Sequence, residues 1–410
     1  MDAQQLFTSN ANDVIPILCG KSPCLYPQTP LTPRLSTGTF TSIYLYILQF
    51  STITRELSIQ SRVPAQGAHQ YLALSPGRDT LYATSWAWPP SLYSFNVAAG
   101  PASEESRGSV IELTYQGKTP ITAISSYITL TNSHIYSIGG PTGEVHAKPD
   151  ASSTTGFGEK IQEVLFVPED KLEAWDKTNK ALRYGAHGIE FDPNGRAYIP
   201  DLGANAIWVH QTQPDGTLSL VKEVKSIREE DGPRHAVVSE NGKCVYSVTE
   251  HTQFVDVYDI TEDGLDYVHS SSLIPKGDDP HEYRGDTIRL SKSTPFVFAT
   301  TRGKDPSVRG ILCAYEVDPA TGHLLHPDEP PSAVWETPTS GGKANAIEVV
   351  AVNGRGLQGE GEAEEKDWIV LTDSEQGLVL VLSWDGEKFQ KVSRVKMMEG
   401  DGASHAVWLE

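Results

Sequence analysis

At 410 residues the chain can bury a large core, and length alone suggests two or three domains unless the sequence is built from repeats. Its formal net charge of −20 opposes a nucleic acid or an anionic membrane as partner, so any anionic ligand must be met by a local cluster of Arg or Lys. No apolar run approaches the roughly 18 residues of a spanning helix.

The first residues, Met1-Asp2-Ala3-Gln4-Gln5, lack the basic start and apolar core of a signal peptide. Of four cysteines, Cys244 and Cys313 sit in strand-like apolar runs and read as plain buried thiols. Cys19 and Cys24 lie in a Pro-rich region without a second Cys/His pair to complete a zinc site. These features predict a reduced, cytoplasmic protein.

Residues 1–33 are polar, Pro-rich and without period, and read as a tail or extra surface segment. From Leu35 onward, short β-branched and aromatic runs alternate with Gly, Pro, Asn and Asp turns, the texture of an all-β chain. Apolar runs begin near Gln70, Thr122, Gly188, His235, Thr287, Ala346 and His405, spaced by roughly 47 to 66 residues, the length of a four-stranded propeller blade with its loops. Each start is generally followed by further runs. Arg196–Asp201 and Ala206–His210 follow Gly188, and Phe254–Tyr258 and Leu265–Val268 follow His235. The start at His405 has too few residues left for a blade, whereas Leu35, Tyr44–Leu48 and Glu56–Ile59 precede the first full repeat. The termini therefore share a blade, with the C-terminal strand innermost, and residues 34–410 form a seven-bladed β-propeller. Two insertions stand out: Pro141 to Tyr184, with an expected helix around Glu169 to Leu182, and the Gly/Glu-rich loop Gly354 to Glu365.

The repeat from Gly232 to Glu250 shows the unit best. Two apolar runs flank Asn241-Gly242, a two-residue hairpin signal. That register sets Glu240 opposite Lys243 and Arg234 opposite Thr249, and delivers Arg234 and Glu250 to the same open end. Equivalent positions in other repeats place His69, His187, His235, Arg284, Asp286, Asn345, Ser404, His405, Asp201, Arg302 and Asp373 at one central mouth. Asp201 and Asp373 suit loop bracing, and Arg234 with Glu250 equally suits a structural ion pair. Three arginines at equivalent positions in an acidic chain, however, fit an anionic ligand held by bidentate contacts. No Gly-x-Ser-x-Gly elbow, HExxH, P-loop or Rossmann glycine pattern occurs, so no motif calls for a metal or nucleotide. His187 beside Asp201, with Glu250 one blade on, offers proton transfer near neutral pH.

The runs Ala186–Gly195, Pro200–Gly203, Gly232–His235 and Glu250 resemble the lactonase-type seven-bladed propellers, a group that includes bacterial 6-phosphogluconolactonases and fungal carboxy-cis,cis-muconate cyclases. Tyr283–Asp286, Thr337–Ala346, Thr372–Gly377 and Ala406-Val407-Trp408 are similar to the fungal cyclases in particular. The resemblance implies a metal-free, cofactor-free cycloisomerase that lactonises 3-carboxy-cis,cis-muconate, a small anionic carboxylate, in protocatechuate catabolism. It implies His187 and Glu250 as the proton-transfer pair and Arg234 and Arg284 as carboxylate clamps. Repeat geometry adds Arg302, Asn345, His405 and His69 as substrate contacts. Lys343 stands where the cyclases carry His after Ser-Gly-Gly and remains able to bind a carboxylate; Ser404-His405 replaces their Asn. Two other readings stay open: a sugar-lactone hydrolase and a non-catalytic propeller that binds a partner at its mouth. A homo-oligomer is compatible with each.

Overall fold

The computed structural model describes residues 33–100, 110–150, 153–352 and 365–409. The Cys19–Cys24 region and nearly all of the Gly/Glu-rich loop therefore lie outside the described residues. The chain forms seven four-stranded antiparallel sheets arranged as the blades of a β-propeller. We number them from the blade that holds both termini. There, Ala403–Trp408 is innermost and pairs with Arg34–Thr39, and Tyr44–Ser51 and Glu56–Pro64 follow outward. Leu35 faces Trp408 across this seam, which joins the ends and leaves no open sheet edge between them. The innermost strands of blades 2 to 7 are His69–Leu74, Tyr127–Leu130, Glu190–Phe191, Pro233–Val238, Tyr283–Leu290 and Ile347–Ala351.

Period-two alternation sends one face of each blade against the next. Between blades 6 and 7, for instance, Trp384 is fully buried. Its ring lies 4.7 Å from Phe389, 5.0 Å from Phe296 and 5.3 Å from Phe298, and its Nε1 donates to Thr294 Oγ1 at 3.0 Å. The indole thus fills the wedge while its one polar atom stays paired, and truncation to Ala would cost about 3–5 kcal/mol. Cys244 and Cys313 are free and buried.

Three local expectations change. The Asn241-Gly242 hairpin pairs Val238 with Val245 as expected, but a bulge sets Pro233 rather than Arg234 opposite Thr249, and the turn is built differently. Gly242 N–H donates to Ser239 O at 2.9 Å, so Glu240 and Asn241 are the central residues and Gly242, at φ +69°, takes the left-handed position. Pro141–Tyr184 is not an insertion in the main: Thr142–Ala147 and Lys160–Leu165 are the outer strands of blade 3, whose innermost strand starts at Tyr127 rather than near Thr122. The expected helix there is two short 3-10 turns, Glu169–Ala174 and Ala181–Arg183. Asp176 Oδ1 accepts Thr178 N–H at 2.8 Å between them, a side-chain turn that competes with helix.

Bulges cluster where innermost strands begin. The register shifts between Pro233 and His235, between Gly285 and Ile288, and between His69 and Leu72. An extra residue re-aims the side chains beside it. The first two of these bulges hold the mouth residues Arg234 and Asp286.

Candidate active site at the mouth of the ring

The mouth is organised on two buried carboxylates, Glu250 and Asp286. Arg234, contributed by the bulge in blade 5, lies between them. Its Nε donates to Glu250 Oε2 at 3.0 Å, its Nη1 donates to the Asp286 carbonyl at 2.6 Å, and its Nη2 lies 3.0 Å from Asp286 Oδ1. Arg302 closes the square, with Nη2 3.5 Å from Glu250 Oε2 and Nε 3.1 Å from Asp286 Oδ1. Asp286 Oδ1 and Arg302 Nε nonetheless have no aligned hydrogen bond. Arg284 touches Glu250 Oε1 only at 3.5 Å and keeps 38% of its side chain exposed, against 7% for Arg234. The three guanidinium groups exceed the two carboxylates by one positive charge.

Backbone packing brings Arg284 here. Gly285 N–H donates to Glu250 O at 3.0 Å, and a Cβ on Gly285 would lie 2.1 Å from Thr249 O. Only glycine permits blade 6 to rest this closely on blade 5.

His187 is buried, and its Nδ1 faces His235 Nε2 at 3.3 Å. Its Nε2 takes no hydrogen bond among the described residues. Burial, then Arg234 and Arg302, hold the imidazole well below its usual range, so it is neutral at ordinary pH. Glu250 behaves oppositely. Burial pushes its pKa up, but Arg302, Arg234 and Arg284 together outweigh burial and hold it below the ordinary carboxylate value. Beside the cluster lies a cavity of about 410 Å³ whose lining includes Glu250, Arg284, Lys304, His251, His281 and Tyr184.

The other expected contacts divide. His69 turns into blade 2, with Nε2 2.9 Å from Ala65 O and Nδ1 3.3 Å from Thr84 O, and burial lowers its pKa to about 4. Its ring packs on Tyr93 and Phe95, so it braces the blade instead of facing the mouth. Asn345 is fully buried; its backbone N–H steadies Asp286 Oδ2 at 2.8 Å and its Nδ2 donates to Thr301 O at 2.9 Å. Lys343 is exposed, its Nζ 5.6 Å from the centroids of both Phe40 and Trp86. Its backbone carbonyl accepts from Arg302 Nη1 at 3.2 Å. Asp201 is not beside the His187 ring: its carboxylate receives Ala204 N–H and Trp208 Nε1–H, bracing a turn. Asp373 likewise braces Glu375 and Gln376.

His405 belongs to a second polar layer, further down the channel. Its ring stacks on Tyr71 at 3.8 Å, and Tyr71 stacks on Tyr127 at 4.1 Å. Arg289 donates to the Tyr71 hydroxyl and, through Nε, to Glu348 Oε2 at 2.9 Å, while Tyr127 donates to Glu190. Sequence reasoning missed this layer. Glu190, Arg289 and Glu348 lie two residues beyond the recognised starts Gly188, Thr287 and Ala346, so the period of two was the available signal. Lys304, His251 and His281 had none, because loops position them.

One further set could offer ligands to a metal. Cys244 Sγ, Asp259 Oδ1 and His323 Nε2 lie within 4.8 Å of one another, at the other end of the strand that leads to Glu250. The histidine hydrogen-bonds the carboxylate at 2.7 Å, and burial pushes the thiol up to about 12, so the thiol keeps its proton and the trio is a hydrogen-bonded set remote from the mouth.

A seven-bladed ring with arginines, buried carboxylates and a neutral histidine at its mouth defines a lactonase-type propeller, and the chain belongs to the family described as lactonase, 7-bladed β-propeller, whose model matches residues 34–334. Among its relatives, muconate cycloisomerase 1 of Cutaneotrichosporon cutaneum is 31% identical over 384 residues, covering 90% of this chain and 95% of that protein. Carboxy-cis,cis-muconate cyclase of Neurospora crassa is 27% identical over 237 residues, covering 55% of this chain and 60% of that one. The fold is also that of the periplasmic gluconolactonase PpgL of Pseudomonas aeruginosa (TM-score 0.69, 18% identity, 93% of this chain and 99% of that one). A putative 6-phosphogluconolactonase of Bacteroides fragilis shares it as well (TM-score 0.68, 15% identity, 95% and 100%). The family match and the 31%-identical relative support an enzyme, and the two solved structures show the shared fold.

Proposed function

We propose that the protein is a cycloisomerase that closes a carboxylated cis,cis-muconate to a lactone. The observation that carries this reading is the arginine excess around Glu250 and Asp286, placed beside a buried neutral His187. The names of the two fungal relatives point to the same reaction class.

The substrate brings its own nucleophile. A carboxylate oxygen adds to one alkene carbon, the π pair shifts to the neighbouring carbon beside another carboxylate, and that carbon takes a proton. The enzyme must hold anions, stabilise enolate-like charge and move one proton. Arg284, exposed and weakly engaged, and Arg302, with an unaligned Nε–H, serve as the carboxylate contacts. Arg234 spends its N–H groups on Glu250 and Asp286, so it is a positioning group that also supplies field. Glu250 is held ionised by three guanidinium groups and is assigned to anchoring them; His187 is left as the proton donor. A tricarboxylate that docks beside His187 raises its proton affinity and charges it as the complex forms.

The test is to incubate the protein with 3-carboxy-cis,cis-muconate and follow diene absorbance. Decay to a lactone is expected. A second reading, lactone hydrolysis, draws on the neutral form of His187, which suits a general base that takes a proton from water. Stable diene absorbance together with hydrolysis of 6-phosphogluconolactone would replace the first reading by the second.

A further inference from the structure

His235 has no role in the mechanism above, yet it is buried directly against the proton donor, with His187 Nδ1 3.3 Å from its Nε2. The groups around it are Arg234, whose Nη1 lies 3.4 Å from its Nδ1 and 3.3 Å from its Nε2, the rings of Tyr127 and Tyr71 at 5.2 and 6.2 Å, and, further off, the Arg289 guanidinium and the His405 ring. A neutral imidazole has one N–H and one lone pair. Two facing nitrogens at hydrogen-bond distance therefore share a single proton. Its position decides what His187 shows at Nε2: an N–H when His235 holds it, a lone pair when His187 holds it.

The reaction makes this decisive. Lactonisation of a trianion gives a dianion with one new C–H bond, so each turnover consumes one proton from solvent without any redox change. Donation from a neutral His187 alone would leave an imidazolate. We infer that His235 is a positioning residue and proton relay, and that His187 and His235 carry the catalytic proton as a pair. When the trianion docks, water at the mouth delivers a proton to His187 Nε2 and the shared proton moves to His235 Nε2. When His187 gives its Nε2 proton to the substrate carbon, His235 passes the shared proton back to His187 Nδ1. Both rings end neutral, and the next trianion repeats the cycle. Burial and the neighbouring Arg234 keep both rings neutral in the empty site, which makes loading depend on the substrate's charge.

The inference rests on the cycloisomerase reading, and the experiment separates the two. Turnover of 3-carboxy-cis,cis-muconate by the wild type is measured against pH beside His235→Gln, with melting temperatures recorded. The relay predicts that His235→Gln lowers kcat at least about tenfold, leaves KM within about threefold, and moves the alkaline limb of kcat down by about one pH unit or more, because the charge is no longer shared. A merely structural role would not move that limb. Should the variant fail to fold, the wild type in mixtures of H2O and D2O decides: two protons in flight give a curved dependence of kcat on deuterium fraction. An unmoved limb or a linear dependence, with the wild type active, overturns the relay alone. A wild type inert toward 3-carboxy-cis,cis-muconate overturns the functional reading and the relay with it.

Discussion

Arg284 and Arg302 stand directly opposite each other across the first two strands of blade 6. Like charges in a cross-strand pair destabilise a sheet. Here both lean on Glu250 from 3.5 Å and Arg302 also on Asp286 at 3.1 Å, but with Arg234 counted two carboxylates face three guanidinium groups. The pair is a concentration of positive charge that the sheet holds at some cost to the fold.

Arg284→Met should raise KM for a carboxylated muconate about 10- to 100-fold, the scale of one lost charge-assisted hydrogen bond. Melting temperature should stay level or rise, since the change relieves the cross-strand repulsion. Steady-state kinetics with a thermal melt checks both; an unchanged KM would remove Arg284 from the substrate contacts.

Glu250→Gln should destabilise the protein by about 3–5 kcal/mol, because it strips the buried partner from three cations. Glu250 has a folded pKa below its unfolded value, so its contribution is present above about pH 4.5 and is lost as pH falls through the folded pKa. Denaturant melts at pH 7 and pH 3 should therefore differ strongly in the wild type and less in the variant. As an anchor rather than a proton carrier, Glu250 should leave the alkaline limb of the wild-type kcat profile in place when replaced.

Buried neutral histidines set a second acid response. His69, His187, His235 and His405 all have folded pKa values below 6.5, chiefly through burial. The unfolded chain binds these protons first, so stability falls as pH drops below about 6.5 and continues to fall toward pH 4. His69→Gln, which lies away from the mouth, should flatten this slope without changing KM.

Glu144 gives the opposite dependence. It is buried in blade 3 with Thr122 N–H at 2.8 Å and Ser137 Oγ at 3.2 Å, and burial raises its pKa to about 7. The folded state holds a proton that the unfolded state has released, so stability declines from about pH 4.5 to 7 and stays low above. Glu144→Gln should remove this decline and stabilise the protein at pH 8 by roughly 3 kcal/mol, read as a higher denaturation midpoint.

The sequence by itself determined the ring: the spacing of apolar runs, the incomplete final repeat at His405 and the unmatched strands near Leu35 required a closed propeller with shared termini. It also located Arg234, Glu250, Arg284, Arg302 and His187, because equivalent positions in a repeat end at the same face. Local pattern fixes which strands exist and where they end. It does not fix where a side chain points once a bulge intervenes, and that is what the tertiary structure decided. His69 and His405 occupy positions like that of His187, yet one turns into its blade and the other stacks on Tyr71, because the neighbouring blades offer carbonyls and aromatic rings there. The protonation of Glu250 and His187 was likewise invisible, since it depends on three arginines from two blades meeting at one buried carboxylate. Burial and charge are sums over neighbours distant in sequence, and only packing brings those neighbours together.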